Sequence, residues 1–213
     1  MSEHSSKSTT GALPDTTVES PFVPVALTWL VWSLFAASIA VLVARVRFDL
    51  VWEVPGLVAV DGLTVLMWVV VTFFSGIVHS YSRRYMAGST HKTRFFIAVF
   101  GFTATVLALV AADHVALFWA AWLAMGLVMA DLIGHVDGWK QAAAAASLAR
   151  RYFLASSASL AVGLGTLWWV TGATTVSGIA SAVGAAPTAA VLFAAGALLL
   201  AAMVQSALLP FHT

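Results

Sequence analysis

Hydrophobic residues occur in six long stretches of this chain, and polar residues gather between them. The stretches lie near 24–44, 61–80, 95–112, 114–134, 152–170 and 187–209. Each approaches or reaches the roughly 20 residues that a helix rising about 1.5 Å per residue needs to cross a hydrocarbon layer of about 30 Å. They are apolar on all sides and do not alternate with a period of two, which disfavours a transmembrane barrel. The pattern predicts an all-α fold, a polytopic transmembrane helix bundle of about six spans.

The composition supports a lipid environment. Of the 213 residues, 61% are hydrophobic and 9% are charged, whereas a soluble domain has about 25% charged residues. Disordered, collagen-like and nucleic-acid-binding classes are excluded for the whole chain. The absence of cysteine excludes disulfides, thiolate metal sites and cysteine nucleophiles. We therefore expect a multi-pass protein of the cell (inner) membrane. Its expected partner is the lipid bilayer, and binding to nucleic acid is not expected.

The chain divides into a tail and a membrane domain. Residues 1–20 are rich in Ser and Thr, with charges of both signs and no apolar run, so they are predicted to form a disordered tail. They do not have the order of basic, apolar and small residues that marks a secretory signal. The membrane domain is predicted to comprise 21–213.

Basic residues are distributed unequally between the two sides of the six-span pattern. The odd connections carry only Arg45 and Arg47, whereas the tail and the even connections carry Lys7, Arg83, Arg84, Lys92, Arg94, Lys140, Arg150 and Arg151. The positive-inside rule therefore predicts that the N-terminus and the C-terminal end are cytoplasmic. The segment 136–151 is predicted either as an amphipathic helix along the cytoplasmic face or as an extension of span five.

Asp131 is the one charged residue predicted to lie inside a span, and His135 follows it four residues later. At this spacing the two are expected to share one helical face, where they form a candidate proton relay. The alternative is that both are hydrated at the interface and merely end the helix.

Gln205 is the other polar residue well inside a predicted span. It can hold a water chain, or it can make an interhelical hydrogen bond worth about 1 kcal/mol. Ser156, Ser157 and Ser159, with Gly163 nearby, predict close helix packing. His79 is interpreted as an interfacial histidine. No catalytic, cofactor or metal motif occurs in the sequence, so no catalytic residue, cofactor or metal is expected.

Three runs of the sequence resemble a known family. They are VDGLTVLMWVVVTFFSGIVHSYSRRYMAG at 60–88, RFFIAVFGFTATVLALVAADHVALFWAAW at 94–122 and QSALLPFHT at 205–213. Together they resemble the antiporter-like proton-conducting subunits that include subunit L of respiratory complex I and the Mrp antiporter subunits. YSRRYM and PFHT look most like the DabB-type subunit of inorganic-carbon transporters. The likeness covers roughly 150 residues.

The resemblance also indicates departures from the family pattern. Its respiratory members carry a glutamate where this chain has Leu123, a lysine where it has Gln205, and Arg-x-Gly-Asp where it reads SASL at 157–160. The Glu/Lys route of proton transfer is therefore not present, and Asp131 and His135 remain as candidates. The family has about twice as many helices, so the chain is expected to be a truncated N-terminal half.

The function implied by the resemblance is the cation- or proton-conducting membrane subunit of an inorganic carbon (CO2/bicarbonate) transporter. Its partner would be a peripheral, DabA-like subunit that carries zinc. One alternative is a subunit of a complex I (NADH-quinone oxidoreductase) or Mrp-type cation/proton antiporter assembly. Another is a non-conducting membrane scaffold. In each case the chain is expected to be a transport or structural subunit and not itself an enzyme.

Overall fold

The computed structural model describes residues 22–48, 52–87, 91–136 and 138–206. Within them the chain forms seven α-helices, one 3-10 turn and one small β-hairpin, in the order α1 Phe22–Phe48, β1 Trp52–Val54, β2 Val58–Val60, α2 Gly62–Tyr85, α3 Lys92–Ala111, α4 Val115–Ile133, α5 Lys140–Thr171, α6 Val176–Ala182, a 3-10 turn at Val183–Ala185 and α7 Thr188–Gln205. All of these helices except α6 are long and apolar enough to cross a membrane. The predicted helix bundle with six spans is confirmed.

Consecutive spanning helices run in opposite directions, so the bundle has two distinct ends. α1, α3 and α5 begin at one end, where α2, α4 and α7 finish. We call it the basic end, because it carries Arg83, Arg84, Lys92 and Arg94. The opposite end, which we call the hairpin end, carries the β-hairpin and α6. The predicted tail lies outside the described residues, and the orientation in the membrane stays a prediction.

Helix α5 settles the two alternatives for the segment 136–151. It is a single helix of 32 residues from Lys140 to Thr171, so the segment extends span five and no separate amphipathic helix forms. A run of five alanines explains the continuity, since alanine has the highest intrinsic helix propensity. The predicted start of span five at residue 152 was therefore 12 residues too late.

The hairpin end is held together by backbone hydrogen bonds between segments distant in sequence. The carbonyl of Leu57 accepts hydrogen bonds from the amides of Asp113 and His114, at 3.0 and 3.1 Å. The Asp113 carboxylate accepts bonds from the backbone and the hydroxyl of Ser177, at 2.9 and 2.8 Å. The hairpin, the α3–α4 turn and α6 thus form one cap, which the sequence analysis treated as simple connections.

Helices α4, α5 and α7 share the best-defined apolar contacts. Leu160 and Leu164 of α5 pack on Ala201 of α7, with Trp119 and Trp122 of α4 alongside. Many large apolar side chains elsewhere are exposed, and Trp169 is 83% exposed. Outward apolar side chains are what a lipid solvent allows, since lipid tails are as apolar as leucine.

Candidate functional site

Asp131 lies in the last turn of α4 and forms an ion pair. Its Oδ1 accepts a hydrogen bond from Arg94 Nη2 on α3 at 2.7 Å, and the Asp131 side chain is 39% exposed. The predicted membrane-embedded carboxylate is therefore half-exposed at the basic end and neutralised by a neighbouring helix. The sequence analysis missed this partner because Arg94 is 37 residues away along the chain.

His135 does not share a helical face with Asp131. Helix α4 ends at Ile133, so His135 follows the cap residue Gly134 outside the helix, with its amide donating to the carbonyl of Leu132 at 3.3 Å. Its side chain is nonetheless buried, and its ring lies 5.2 Å from that of Phe95 on α3, centroid to centroid. Asp131 and His135 therefore lie at the same end of the bundle. They are not one helical turn apart on a continuous helix, as the predicted proton relay requires.

Gln205 is the last residue of α7, and its Oε1 is buried with no hydrogen-bond partner among the described residues. One turn earlier, the carbonyl of Ala201 accepts a hydrogen bond from Ser156 of α5 at 2.8 Å. The antiparallel packing of α5 on α7 thus brings Gln205 to the level of Tyr152. Within the described part of the chain the Gln205 carbonyl makes no hydrogen bond, and the two interpretations of Gln205, a water chain or an interhelical hydrogen bond, stay predictions.

Ser156 links three helices. Its hydroxyl accepts from Trp122 Nε1 of α4 at 3.1 Å and donates to Ala201 of α7 at 2.8 Å. Close by, Ser159 donates to the carbonyl of Ala197 at 2.8 Å. These hydroxyls satisfy the polar groups of a tight helix contact, as the small-residue pattern predicted. Gln205, one of the positions where the resemblance implies charge, lies one helical turn beyond Ala201 on α7.

The most deeply buried titratable side chain among the described residues is His79 of α2, which the sequence analysis interpreted as interfacial. It is 1% exposed and its ring packs against Phe96 of α3 at 5.6 Å. Its Nδ1 lies 2.8 Å from the carbonyl of Ser75, and because a carbonyl only accepts, Nδ1 carries the proton. The structure places this side chain inside the bundle, and α2 continues to Tyr85, about a turn and a half beyond it; the level of His79 relative to the membrane surface stays a prediction.

The second ring nitrogen of His79, Nε2, is the atom that can accept a proton in the cluster of His79, Ser75 and Thr103. Nε2 is buried and has no hydrogen-bond partner within the residues that the structure describes. With Nδ1 protonated, neutral Nε2 has a lone pair that can take a proton, so the imidazole is able to relay one. Beside it, the hydroxyls of Ser75 and Thr103 are 2.6 Å apart and join α2 to α3.

A polar stripe on α2 leads through this cluster. Its members recur at spacings of three and four residues and are Thr64, Trp68, Thr72, Ser75, His79 and Ser82. All of them except Trp68, which is half-buried, are buried. This spacing is the signal by which the sequence alone could have identified His79, because it puts six polar or amphipathic side chains on one helix face.

His135 and His79 lie on either side of two phenylalanines near the start of α3. His135 contacts Phe95, Phe95 contacts Phe96 at 5.8 Å, and Phe96 contacts His79. Asp131, His135 and His79 are therefore grouped at the basic end around α3, whereas Gln205 lies on α7 beyond α5. The described residues contain no group of three or more His, Asp or Glu side chains that would hold a metal ion.

Comparison with known proteins decides the family. A family model described as NADH:quinone oxidoreductase/Mrp antiporter, TM, matches residues 112–213. A second, described as NADH-Ubiquinone oxidoreductase (complex I), chain 5 N-terminus, matches residues 54–96. The chain belongs to the complex I subunit 5/L and Mrp antiporter family.

Relatives in this family are named as oxidoreductase or dehydrogenase subunits. The chain is 33% identical over 153 residues to NADH-ubiquinone oxidoreductase chain 5 of Cryptococcus neoformans, which is 72% of this chain and 23% of the relative. It is 34% identical over 157 residues to NADH-quinone oxidoreductase subunit L of Mycobacterium tuberculosis, 72% of this chain and 24% of the relative. The F(420)H(2) dehydrogenase subunit L of Methanosarcina mazei is 34% identical over 95 residues, 45% of this chain and 14% of the relative.

The chain spans about a quarter of the length of the curated relatives it matches. The two family models meet the structure at recognisable places. The match to residues 54–96 begins in the β-hairpin and includes all of α2, and the match to residues 112–213 begins at the α3–α4 turn. The polar stripe of α2 therefore lies inside the matched region of this antiporter-like family member.

Proposed function

We propose that this chain is an ion-translocating membrane subunit of a complex I-type or Mrp-type assembly. The observation that carries the proposal is the match of two models from this one family to 54–96 and 112–213, on a bundle of six spans. Relatives that are 33% and 34% identical to it over 153 and 157 aligned residues are named as oxidoreductase subunits. In this proposal the chain supplies a membrane path for protons or sodium ions, and other subunits of the assembly drive it.

The proton path in this proposal begins at the basic end. Asp131 and His135 provide titratable groups near the surface, and His79 provides one inside the bundle. Two phenylalanine rings of α3 separate the two histidines. Ser75 and Thr103 continue the polar route one turn deeper. Gln205 stands apart on α7, where its unpaired carbonyl can hold a water molecule.

Replacing His79 tests the central step. In the full-length gene product within its assembly, His79→Phe keeps an aromatic ring against Phe96 but removes both ring nitrogens. We expect proton translocation into inverted membrane vesicles, followed with a pH-sensitive dye, to fall by about 100-fold, the lower end of what a positioned acid–base group contributes. His91→Asn is the matched control, because asparagine tolerates the left-handed backbone at φ 68°.

Asp131→Asn in the same assay tests the entrance of the path. The variant loses the ion pair with Arg94, and translocation is expected to fall while the assembly stays intact on a native gel. Unchanged rates of proton translocation in both the His79 and Asp131 variants would refute the proposed proton path and favour the non-conducting scaffold.

A second candidate function is uptake of inorganic carbon with a zinc-containing, DabA-like peripheral partner. What favours it is the YSRRYM segment at the end of α2 and the neutral residues Leu123 and Gln205. Genes for quinone-reductase subunits beside this one would support the first proposal, and a gene for one large zinc-motif protein would support the second. Co-expression with that neighbour in a host lacking carbonic anhydrase tests it directly, since failure to grow in air would refute the carbon-uptake function.

A further inference from the structure

The basic end of the bundle contains a cleft between α1, α2 and the start of α3 that the proposed function does not use. Its volume is about 700 Å³. Pro24 and Val25 line it on α1, and Ile77 and Tyr81 line it on α2. These walls are apolar or aromatic, so the cleft suits a hydrocarbon chain.

Trp32 closes the inner end of this cleft. Its indole rests on Gly76, where an added Cβ would lie 3.0 Å from the ring, and its Nε1 donates to Ser80 Oγ at 3.0 Å. From Gly76 to Arg84 is eight residues of α2, or about 12 Å along the helix axis. The cleft is therefore deep enough for the glycerol region and the first methylene groups of a lipid.

Three cations stand at the outer rim. Arg83 and Arg84 lie in the last turn of α2, and Lys92 is the first residue of α3. The Nζ of Lys92 is 3.5 Å from the carbonyl of Arg83. Neither arginine side chain makes an ion pair or a hydrogen bond with another described residue. Among the residues that the structure describes, no acidic side chain lines the cleft. The rim thus presents uncompensated positive charge directly above an apolar groove.

We propose that this cleft binds one anionic phospholipid, with its phosphate at Arg83, Arg84 and Lys92 and an acyl chain along Val25 and Ile77. Basic pockets between transmembrane helices on the cytoplasmic side are where anionic head groups bind, and the distribution of basic residues predicts that side for this end. Arginine is well suited to the phosphate, because its planar fork donates two parallel hydrogen bonds. The proposal does not depend on the proposed function.

Native mass spectrometry of the full chain tests the site. The protein is released from mixed micelles of phosphatidylglycerol and phosphatidylcholine, and bound lipids are counted. We expect one retained phosphatidylglycerol, and an affinity at least about tenfold lower for the R83Q/R84Q variant. The matched control is R150Q/R151Q, which removes two exposed arginines of α5 and is expected to retain the lipid.

Further variants separate a built site from a charged surface. Val25→Trp fills the groove and leaves the cations in place, so it too is expected to lose the lipid, whereas R83K/R84K keeps it. Far-UV circular dichroism checks that each variant is folded. The proposal would be overturned if phosphatidylcholine were retained as well as phosphatidylglycerol, or if R150Q/R151Q lost as much lipid as R83Q/R84Q. Unchanged lipid binding by Val25→Trp would overturn it too. Displacement of the lipid by excess inorganic phosphate would also overturn it, because the site would then belong to the free anion.

Discussion

At the scale of single residues, the carboxylate of Asp61 fixes where α2 begins. Its Oδ1 accepts a hydrogen bond from the Thr64 amide at 2.7 Å and from the Thr64 hydroxyl at 2.8 Å. The bond from the Thr64 amide is the main reason why the pKa of Asp61 lies below its ordinary value, and Arg45 adds to the effect. An aspartate in this position satisfies amides that the first helical turn leaves without partners.

Substitution of Asp61 tests the cap. Asp61→Ala is expected to lower the free energy of unfolding by about 1 kcal/mol, the usual worth of an N-cap, while Asp61→Asn keeps most of it. Thermal unfolding of the detergent-solubilised chain, followed by circular dichroism, measures both. Equal stability of the Ala and Asn variants would show that the hydrogen bond contributes nothing.

The pH dependence of the cap follows from the lowered pKa. Because the folded-state pKa lies below the unfolded value of about 4, the unfolded chain binds the proton more readily. The stabilisation is therefore present above about pH 4 and is lost as the pH falls through the folded-state pKa. The difference in melting temperature between the native chain and Asp61→Asn is expected to change only in that acid range.

At the scale of elements, the contact of α5 with α7 depends on a single glycine. A Cβ on Gly163 would lie 2.8 Å from Leu198 Cδ2 and 3.1 Å from the carbonyl oxygen of Ala194, so the two helices meet at their backbones. Ser159 and Ser156 reinforce the contact from either side by donating to carbonyls of α7. Close backbone approach of this kind holds helices together where lipid provides no hydrophobic driving force.

A matched pair of alanine substitutions measures this contact. Gly163→Ala is expected to destabilise the bundle by about 1 kcal/mol, because overpacking outweighs the gain in helix propensity. Gly165→Ala, whose Cβ would meet no atom within 4 Å, is expected to stabilise it by up to about 1 kcal/mol. Unfolding by a denaturing detergent compares the two. Similar effects at both positions would argue against a close contact at Gly163.

At the scale of the whole molecule, the ends of the bundle differ in charge and in construction. The basic end gathers arginines and lysines, and the hairpin end is held by backbone bonds between the hairpin, the Asp113 turn and α6. The distribution of basic residues predicts that the basic end is cytoplasmic. Since the native chain has no cysteine, this orientation can be tested without a background signal.

Single cysteines at the two ends test the topology. Ser147→Cys lies on the exposed part of α5 near the basic end, and Gly184→Cys lies on an exposed turn at the hairpin end. In intact cells, a membrane-impermeant maleimide is expected to label only Gly184→Cys. In inverted vesicles it is expected to label only Ser147→Cys. The reverse pattern would contradict the predicted orientation.

The sequence by itself determined the solvent, the number of spans and the family. Each of these depends on local composition, length or motif, because a helix that satisfies its own backbone can be recognised segment by segment in lipid. Spacing along α2 would also have put Ser75 and His79 on one face, a signal that the sequence analysis did not use. The partners of that face could not be predicted, since a helix pattern does not say which neighbour covers it.

Only the tertiary structure decided what the candidate groups contact. It paired Asp131 with Arg94 across 37 residues and buried His79 against Phe96, and it ended α4 before His135. It also brought α1, α2 and the start of α3 together to form the cleft at the basic end. The physical reason is that contacts such as these join different helices, whose side chains are far apart in sequence and become adjacent only after the bundle has packed.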